Sequence, residues 1–206
     1  MIKLYGLRMS NYYSLTKALL IEKGVDFEEV KRPPSQKEDF LMLSPMGKMP
    51  AIEAEGVYLS ESIAIATYLE SLQPKPALLP ANTMQAAKVM ELVCHLKLDV
   101  ELVARRLLPE ALFKQPVSEE TKAAVKTDLA KGMKAVDRLF VGTPYAAGEQ
   151  VTLADFYTFY SLGMASGMVR AIYGEDLLAE YATIRGVQAL MAQHPSVQRV
   201  ETEKTA

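Results

Sequence analysis

Apolar and polar positions alternate from the first residues, where Ile2 and Leu4 interleave with Lys3 and Tyr5 before Gly6 ends the run. A period of two predicts a strand. Leu15, Ala18, Leu19 and Glu22 then follow helical spacing from a polar start at Ser10-Asn11, and Gly24 supplies the stop. Phe27 to Val30 predicts a second strand, closed by Lys31-Arg32-Pro33-Pro34. A strand, a helix and a second strand form a right-handed crossover, so these two strands pair in parallel. A short helix is expected near Lys37–Leu43. Two apolar runs, Ala51-Ile52 and Val57-Tyr58-Leu59, flank a Glu55-Gly56 turn and predict a hairpin. Ile63, Ile65, Ala66, Leu69 and Leu72 return to helical spacing, giving the order βαβαββα.

Gln73 to Pro80 holds Pro74, Pro76 and Pro80 and is the clearest boundary in the chain. Residues 1–73 are therefore expected to form an α/β domain and 74–82 a linker. Residues 83–206 are expected to form an all-α bundle, since no strand-like alternation competes there. Its helices are predicted over Thr83 to about Leu108, stopped near Pro109, over Ser118 to about Phe140, and from Thr152 onward. Shorter segments follow, to His194-Pro195. In Val151-Thr152-Leu153-Ala154-Asp155-Phe156, Thr152 and Asp155 have capping-box spacing, and Val151 and Phe156 occupy the staple positions. This is folding chemistry.

Composition narrows the function. A net charge of −2 argues against a nucleic-acid partner. The N-terminus lacks the apolar stretch of a signal peptide, and no run approaches the ~18 apolar residues of a membrane span, so a cytoplasmic protein is expected. The single cysteine, Cys94, excludes an internal disulfide and a Cys-x-x-Cys redox pair. His95 and His194 belong to no cluster with metal-ligand spacing, so no metal is expected.

Candidate chemistry concentrates in Ser44 to Leu72. Pro50 cannot donate to a sheet ladder and belongs at a strand's first residue, which leaves the backbone of Met49 to pair with something else, such as an extended peptide. Ser60 or Ser62 is expected to cap the following helix, whose first N–H groups attract a carboxylate, while Glu61 suits an ammonium. Backbone-like amides at one end and an amino-acid head at the other are the features of glutathione.

The string MGKMPAIEAEGVYLSESIAIATYL resembles the glutathione-binding stretch of the cytosolic glutathione transferases. βαβαββα is the order of that family's thioredoxin-like N-terminal domain, the proline-rich stretch is similar to its interdomain linker, and the box at Thr152 to one that opens a buried bundle helix. The resemblance implies that Met49 pairs its main chain with the cysteinyl part of glutathione, that Pro50 is cis, and that Glu61 and Ser62 hold the γ-glutamyl head. Lys48 stands where family members place a residue reaching the glycyl carboxylate. It further implies a cytosolic homodimer that takes glutathione as co-substrate and conjugates its thiolate to a small, mostly apolar electrophile, a detoxification chemistry.

Thiol activation makes a modest demand. Lowering a free thiol from about 8.5 to about 7 requires roughly 2 kcal/mol, and one hydrogen bond to a charged group contributes about 1.5–3 kcal/mol. One hydroxyl at the first helix suffices. Ser10, in LYGLRMSNYYS, has the spacing of the serine of the phi and theta classes, implying a bacterial, serine-type member; Asn11 and Tyr12 remain alternatives, and Ser10 has a purely structural reading as a helix cap. The absence of a cysteine here argues against the disulfide chemistry of the omega and beta classes, and the missing Ser-Ser-Cys run against a zeta-class isomerase. The second substrate is expected between the Leu7–Tyr13 loop, with Leu7, Met9 and Tyr12, and the long helix near Leu98, Glu101, Arg105 and Leu108. Two other functions stay open: a non-catalytic binding or regulatory module of the same fold, and a glutathione-dependent peroxidase.

Overall fold

The computed structural model describes residues 1–205, the last by its backbone alone. It divides into two compact units: Met1–Leu78 with the segment from Gln193 onward, and Leu79–Ala192.

Unit 1 has the expected order: β1 (Ile2–Gly6), α1 (Asn11–Glu22), β2 (Phe27–Lys31), α2 (Glu38–Leu41), β3 (Ala51–Ala54), β4 (Val57–Ser60) and α3 (Ser62–Leu72). Among the described residues the sheet has the strand order β2-β1-β3-β4, with β1 and β2 parallel and the other pairs antiparallel. Its two faces follow from alternation along each strand. Tyr5 and Ala51 pack with Phe40 and Leu43 around α2, while Leu4 and Ile52 are fully buried on the opposite face. α1 contacts both β1 and α3, and nine of its residues are buried. This is a thioredoxin-like domain.

Lys23, at the end of α1, is buried against Glu70 and donates to the Pro76 carbonyl at 2.6 Å. Glu70 in turn accepts the Leu78 N–H at 3.1 Å. The proline-rich stretch through Leu78 is thereby fastened to unit 1.

Unit 2 is helical. It contains α4 (Thr83–Cys94), a π-helical stretch His95–Glu101, α5 (Leu102–Ala104), a 3-10 turn Arg105–Leu107, α6 (Leu108–Phe113), α7 (Glu119–Leu139), α8 (Leu153–Tyr173) and α9 (Ala182–Ala192). Pro109 does not stop the first helical run. It falls in the first turn of α6, where an N–H is not needed, and the chain ends that helix at Lys114 in the left-handed region. Gly132 of α7 lies so close to the π-helical stretch that an added Cβ would sit 2.2 Å from the Asp99 carbonyl oxygen. Ser118 caps α7, accepting the Thr121 N–H at 3.2 Å.

The capping box at α8 is present. The buried Asp155 carboxylate accepts the Thr152 N–H at 2.8 Å, the Thr152 hydroxyl at 2.9 Å and the Ala146 N–H at 2.7 Å. Burial pushes its carboxyl above the ordinary value, against the pull of these hydrogen bonds.

A further helix, α10 (Pro195–Thr205), begins at the proline with which the sequence reading ends its shorter segments, again because the first helical position needs no N–H donor. It packs on α1, with Val197 and Val200 buried, so the segment from Gln193 belongs with unit 1 and not with the rest of 83–206. No helix among the described residues is long and apolar enough to cross a membrane.

Candidate functional site

Sheet register brings three separated segments together. Tyr5 of β1 pairs with Ala51 of β3, which pairs with Ser60 of β4. The chain leaves β1 toward Leu7–Ser10, approaches β3 through Met49-Pro50, and leaves β4 into Glu61-Ser62, so all three lie at one end of the sheet. Gly6 marks how tightly they pack: its φ is +151°, and an added Cβ would meet Tyr13 Cδ2 at 2.5 Å and Met49 Cβ at 3.2 Å.

Ser10 is the N-cap of α1, with its Oγ 3.4 Å from the Tyr13 N–H that it accepts. That bond is long and uses only an oxygen lone pair, so the hydroxyl proton remains available as a donor. Asn11 is buried and Tyr12 half-buried. Two neighbouring hydroxyls are committed elsewhere: Tyr13 donates to Glu29 at 2.6 Å, and Ser14 to the Arg8 carbonyl at 3.3 Å. Burial, and then the bond to Glu29, push the Tyr13 phenol up, away from ionisation.

The Met49–Pro50 peptide is cis, and the ladder register begins only at Ala51. Lys48 is exposed, with its N–H directed to Ser44 Oγ at 3.3 Å. At α3 the expectation of a serine cap is corrected. Ser60 is the last residue of β4, Ser62 the first of α3, and Glu61 holds the N-cap position at φ 70°, ψ 118° with no side-chain cap bond. Neither serine is in the right place to cap. A glutamate at positive φ is uncommon and stores strain, and such positions gather at ligand sites. Glu61 is exposed and Ser62 buried.

Of the residues expected around a second substrate, Leu7 and Tyr12 are half-buried and Met9 is 77% exposed, all in unit 1. Leu98, Glu101, Arg105 and Leu108 lie in unit 2. There Leu98 is exposed, whereas Glu101 is fully buried and accepts from Arg105 Nε at 2.8 Å. His95 faces Asp99 at 2.6 Å and His194 faces Glu22 at 3.5 Å; no group of three or more His, Cys, Asp or Glu among the described residues has a metal-binding arrangement.

Sequence reasoning missed Glu29. On β2, it gathers Arg8, Tyr13 and Lys17 around one carboxylate. Burial alone would raise its carboxyl, but the hydrogen bonds from Arg8, Lys17 and Tyr13 prevail and hold it at about 2. The one available signal was Lys17, a lysine among the apolar positions of α1.

Comparison with known proteins identifies the family. Residues 4–77 match the glutathione S-transferase N-terminal domain and residues 107–202 the C-terminal domain. A glutathione S-transferase of Pseudomonas putida is 37% identical over 206 residues, covering 100% of this chain and 94% of that protein. Maleylacetoacetate isomerase of Rattus norvegicus is 28% identical over 163 residues, covering 74% and 72%. Among solved structures, a bacterial maleyl pyruvate isomerase, a zeta-class glutathione S-transferase, superposes with a TM-score of 0.77 at 26% identity, over 96% of this chain and 95% of that one. With domain models matched across both units and a relative alike from end to end, this chain is an enzyme of the glutathione S-transferase family, whose co-substrate is glutathione.

Proposed function

We propose that the enzyme conjugates glutathione, through its thiolate, to a small and mostly apolar electrophile, and that Ser10 activates the thiol. The observation that carries this reading is the register Tyr5–Ala51–Ser60, which gathers the Ser10 loop, Met49-Pro50 and Glu61-Ser62 at one end of the sheet. Glutathione spans these points in a defined order. Its cysteinyl amides pair with the main chain of Met49, beside Pro50. Its γ-glutamyl carboxylate meets the first N–H groups of α3 and Ser62, its ammonium meets Glu61, and its glycyl carboxylate meets Lys48. The sulfur then faces the start of α1, where the Ser10 proton and the helix N-terminus together offset the roughly 2 kcal/mol that thiolate formation near neutral pH requires. Leu7, Met9 and Tyr12 border the sulfur on the electrophile's side. The working form is a cytoplasmic homodimer.

A second reading has its own support in the relatives described as maleylacetoacetate and maleyl pyruvate isomerases. In it the same thiolate adds to an activated double bond and is expelled after rotation, so glutathione is regenerated. Conjugation of an activated aryl halide, followed beside isomerisation of a cis-ene-dicarboxylate with catalytic glutathione, separates the two. Turnover of the halide without isomerisation supports conjugation, and the opposite result replaces it. Ser10→Ala raises the pKa of bound glutathione and depresses turnover in either case, with affinity kept within a few-fold, because the hydroxyl acts on the sulfur and not on the tripeptide's ends. A larger pKa change in an Asn11 or Tyr12 variant transfers the role.

A further inference from the structure

The carboxylate of Glu29 is the centre of a charge cluster within unit 1. It accepts from Tyr13 Oη at 2.6 Å, Lys17 Nζ at 2.7 Å, Arg8 Nη2 at 2.9 Å and Arg8 Nε at 3.3 Å. Lys17, with a side chain only 2% exposed, also meets the Glu203 carboxylate on α10. Arg8 Nη1 donates to the Glu203 backbone carbonyl at 2.9 Å, and Arg199 Nε to the Glu203 side chain at 3.0 Å.

A buried lysine needs a carboxylate, and a cluster built only for that would end with Lys17 between Glu29 and Glu203. Arg8 does not fit that account. Its side chain is 49% exposed and water would solvate it, yet its guanidinium is forked onto Glu29. What Arg8 and Tyr13 share is position: they stand two residues before and three after Ser10. Between them the loop is closed by Ser10 N–H to Leu7 carbonyl at 3.0 Å and Ser14 N–H to Ser10 carbonyl at 2.9 Å. Tyr13 also supplies the N–H that Ser10 Oγ accepts.

We propose that Glu29 is a positioning residue for Ser10, clamping the loop at Arg8 and Tyr13 and tying it to the C-terminal helix through Lys17 and Glu203. The role rests on the assignment of Ser10 as the thiol-activating group. A hydroxyl that stabilises a thiolate by one hydrogen bond is sensitive to displacement, because the bond weakens steeply with angle and distance. Glu29 is assigned to no part of the tripeptide, since its carboxylate is taken up by Tyr13, Lys17 and Arg8.

The experiment titrates the thiol of bound glutathione spectroscopically in wild type, S10A, E29Q and the double variant, beside calorimetry with S-methylglutathione, which has no thiol to ionise. E29Q is expected to leave roughly five- to tenfold less thiolate at neutral pH, with S-methylglutathione affinity within about twofold. In the S10A background E29Q should have no further effect on the titration, since two residues acting through one hydrogen bond are not additive. A shift in S10A with none in folded E29Q overturns the role of Glu29 alone. Additive shifts do the same, as they mean Glu29 acts by another route. An unshifted S10A overturns the Ser10 assignment first and this inference with it. Y13F, which removes one donor and leaves Arg8 and Lys17 in place, provides the reading if E29Q does not fold: a smaller shift in the same direction is expected, and an unshifted titration in folded Y13F overturns the proposal.

Discussion

Two helices of this enzyme begin in opposite ways. At the start of α8 the Asp155 carboxylate takes three donors, the Thr152 side chain turns inward, and both residues are buried. At the start of α3 an exposed glutamate occupies the cap position at positive φ and makes no side-chain cap bond. A helix N-terminus carries the same partial positive charge in both places. In α8 the chain supplies the neutralising carboxylate itself; at α3 the proposed function assigns that place to the glutathione carboxylate. A capping box contributes to folding, whereas in the proposed function the start of α3 contributes to binding.

Substitutions at the two ends should therefore separate cleanly. Asp155→Ala leaves the Ala146 and Thr152 amides without their acceptor in a buried place and should cost about 2–4 kcal/mol, read from denaturation midpoints. Glutathione affinity in the folded fraction should stay at the wild-type value. If affinity fell in step with stability, the contrast between the two ends would collapse. Glu61→Gln should do the reverse, weakening glutathione by about 1.5–3 kcal/mol by titration calorimetry with an unchanged midpoint, and less at high salt because the site is open to solvent. Ser62→Ala should lie at the low end of that range, since in the proposed pose the helix N–H groups would still hold the carboxylate.

A sharper test is Glu61→Gly. Relief of the positive φ should raise stability by about 1 kcal/mol even as affinity drops, because glycine adopts that backbone without strain. A midpoint that falls together with affinity would show Glu61 to be a structural cap after all. The smallest expected effect concerns pH. The Asp155 carboxyl is raised in the folded state by burial, so its contribution is fully present below the unfolded value of about 3.8 and declines as pH rises through the folded value. Asp155→Asn removes that decline. The stability difference, wild type minus Asp155→Asn, should shrink as pH rises from below the unfolded value of about 3.8 through the folded value, and a difference that grew would reverse the sign assigned to burial.

How legible these features were depended on how local their physics is. The Thr152–Asp155 box is three residues wide and could be read directly, as could the βαβαββα order, which follows from periodicity and short punctuation. Pro109 and Pro195 misled because proline breaks a helix interior but is tolerated in a first turn, and only the structure shows which applies. At Glu61 the deciding quantity is a backbone angle fixed by the strand before it and the helix after it. Ser60 and Ser62, both good caps by type, lose to geometry. Glu29 was the hardest to see: its partner Arg8 lies 21 residues away, and Lys17 is separated by 186 residues from Glu203, distances over which no period or motif operates.

The return of α10 to unit 1 also sets an order of assembly during synthesis. Translation delivers the sheet, α1 and α3 first, then the helices of unit 2, and only after them the helix that covers α1. Until then a nascent chain holds the Lys17 ammonium with Glu29 but without Glu203, and Arg8 without the carbonyl it donates to. Unit 1 is made from both ends of the described chain. The loop that carries Ser10 therefore acquires the contacts with Glu203 only after unit 2 has been made.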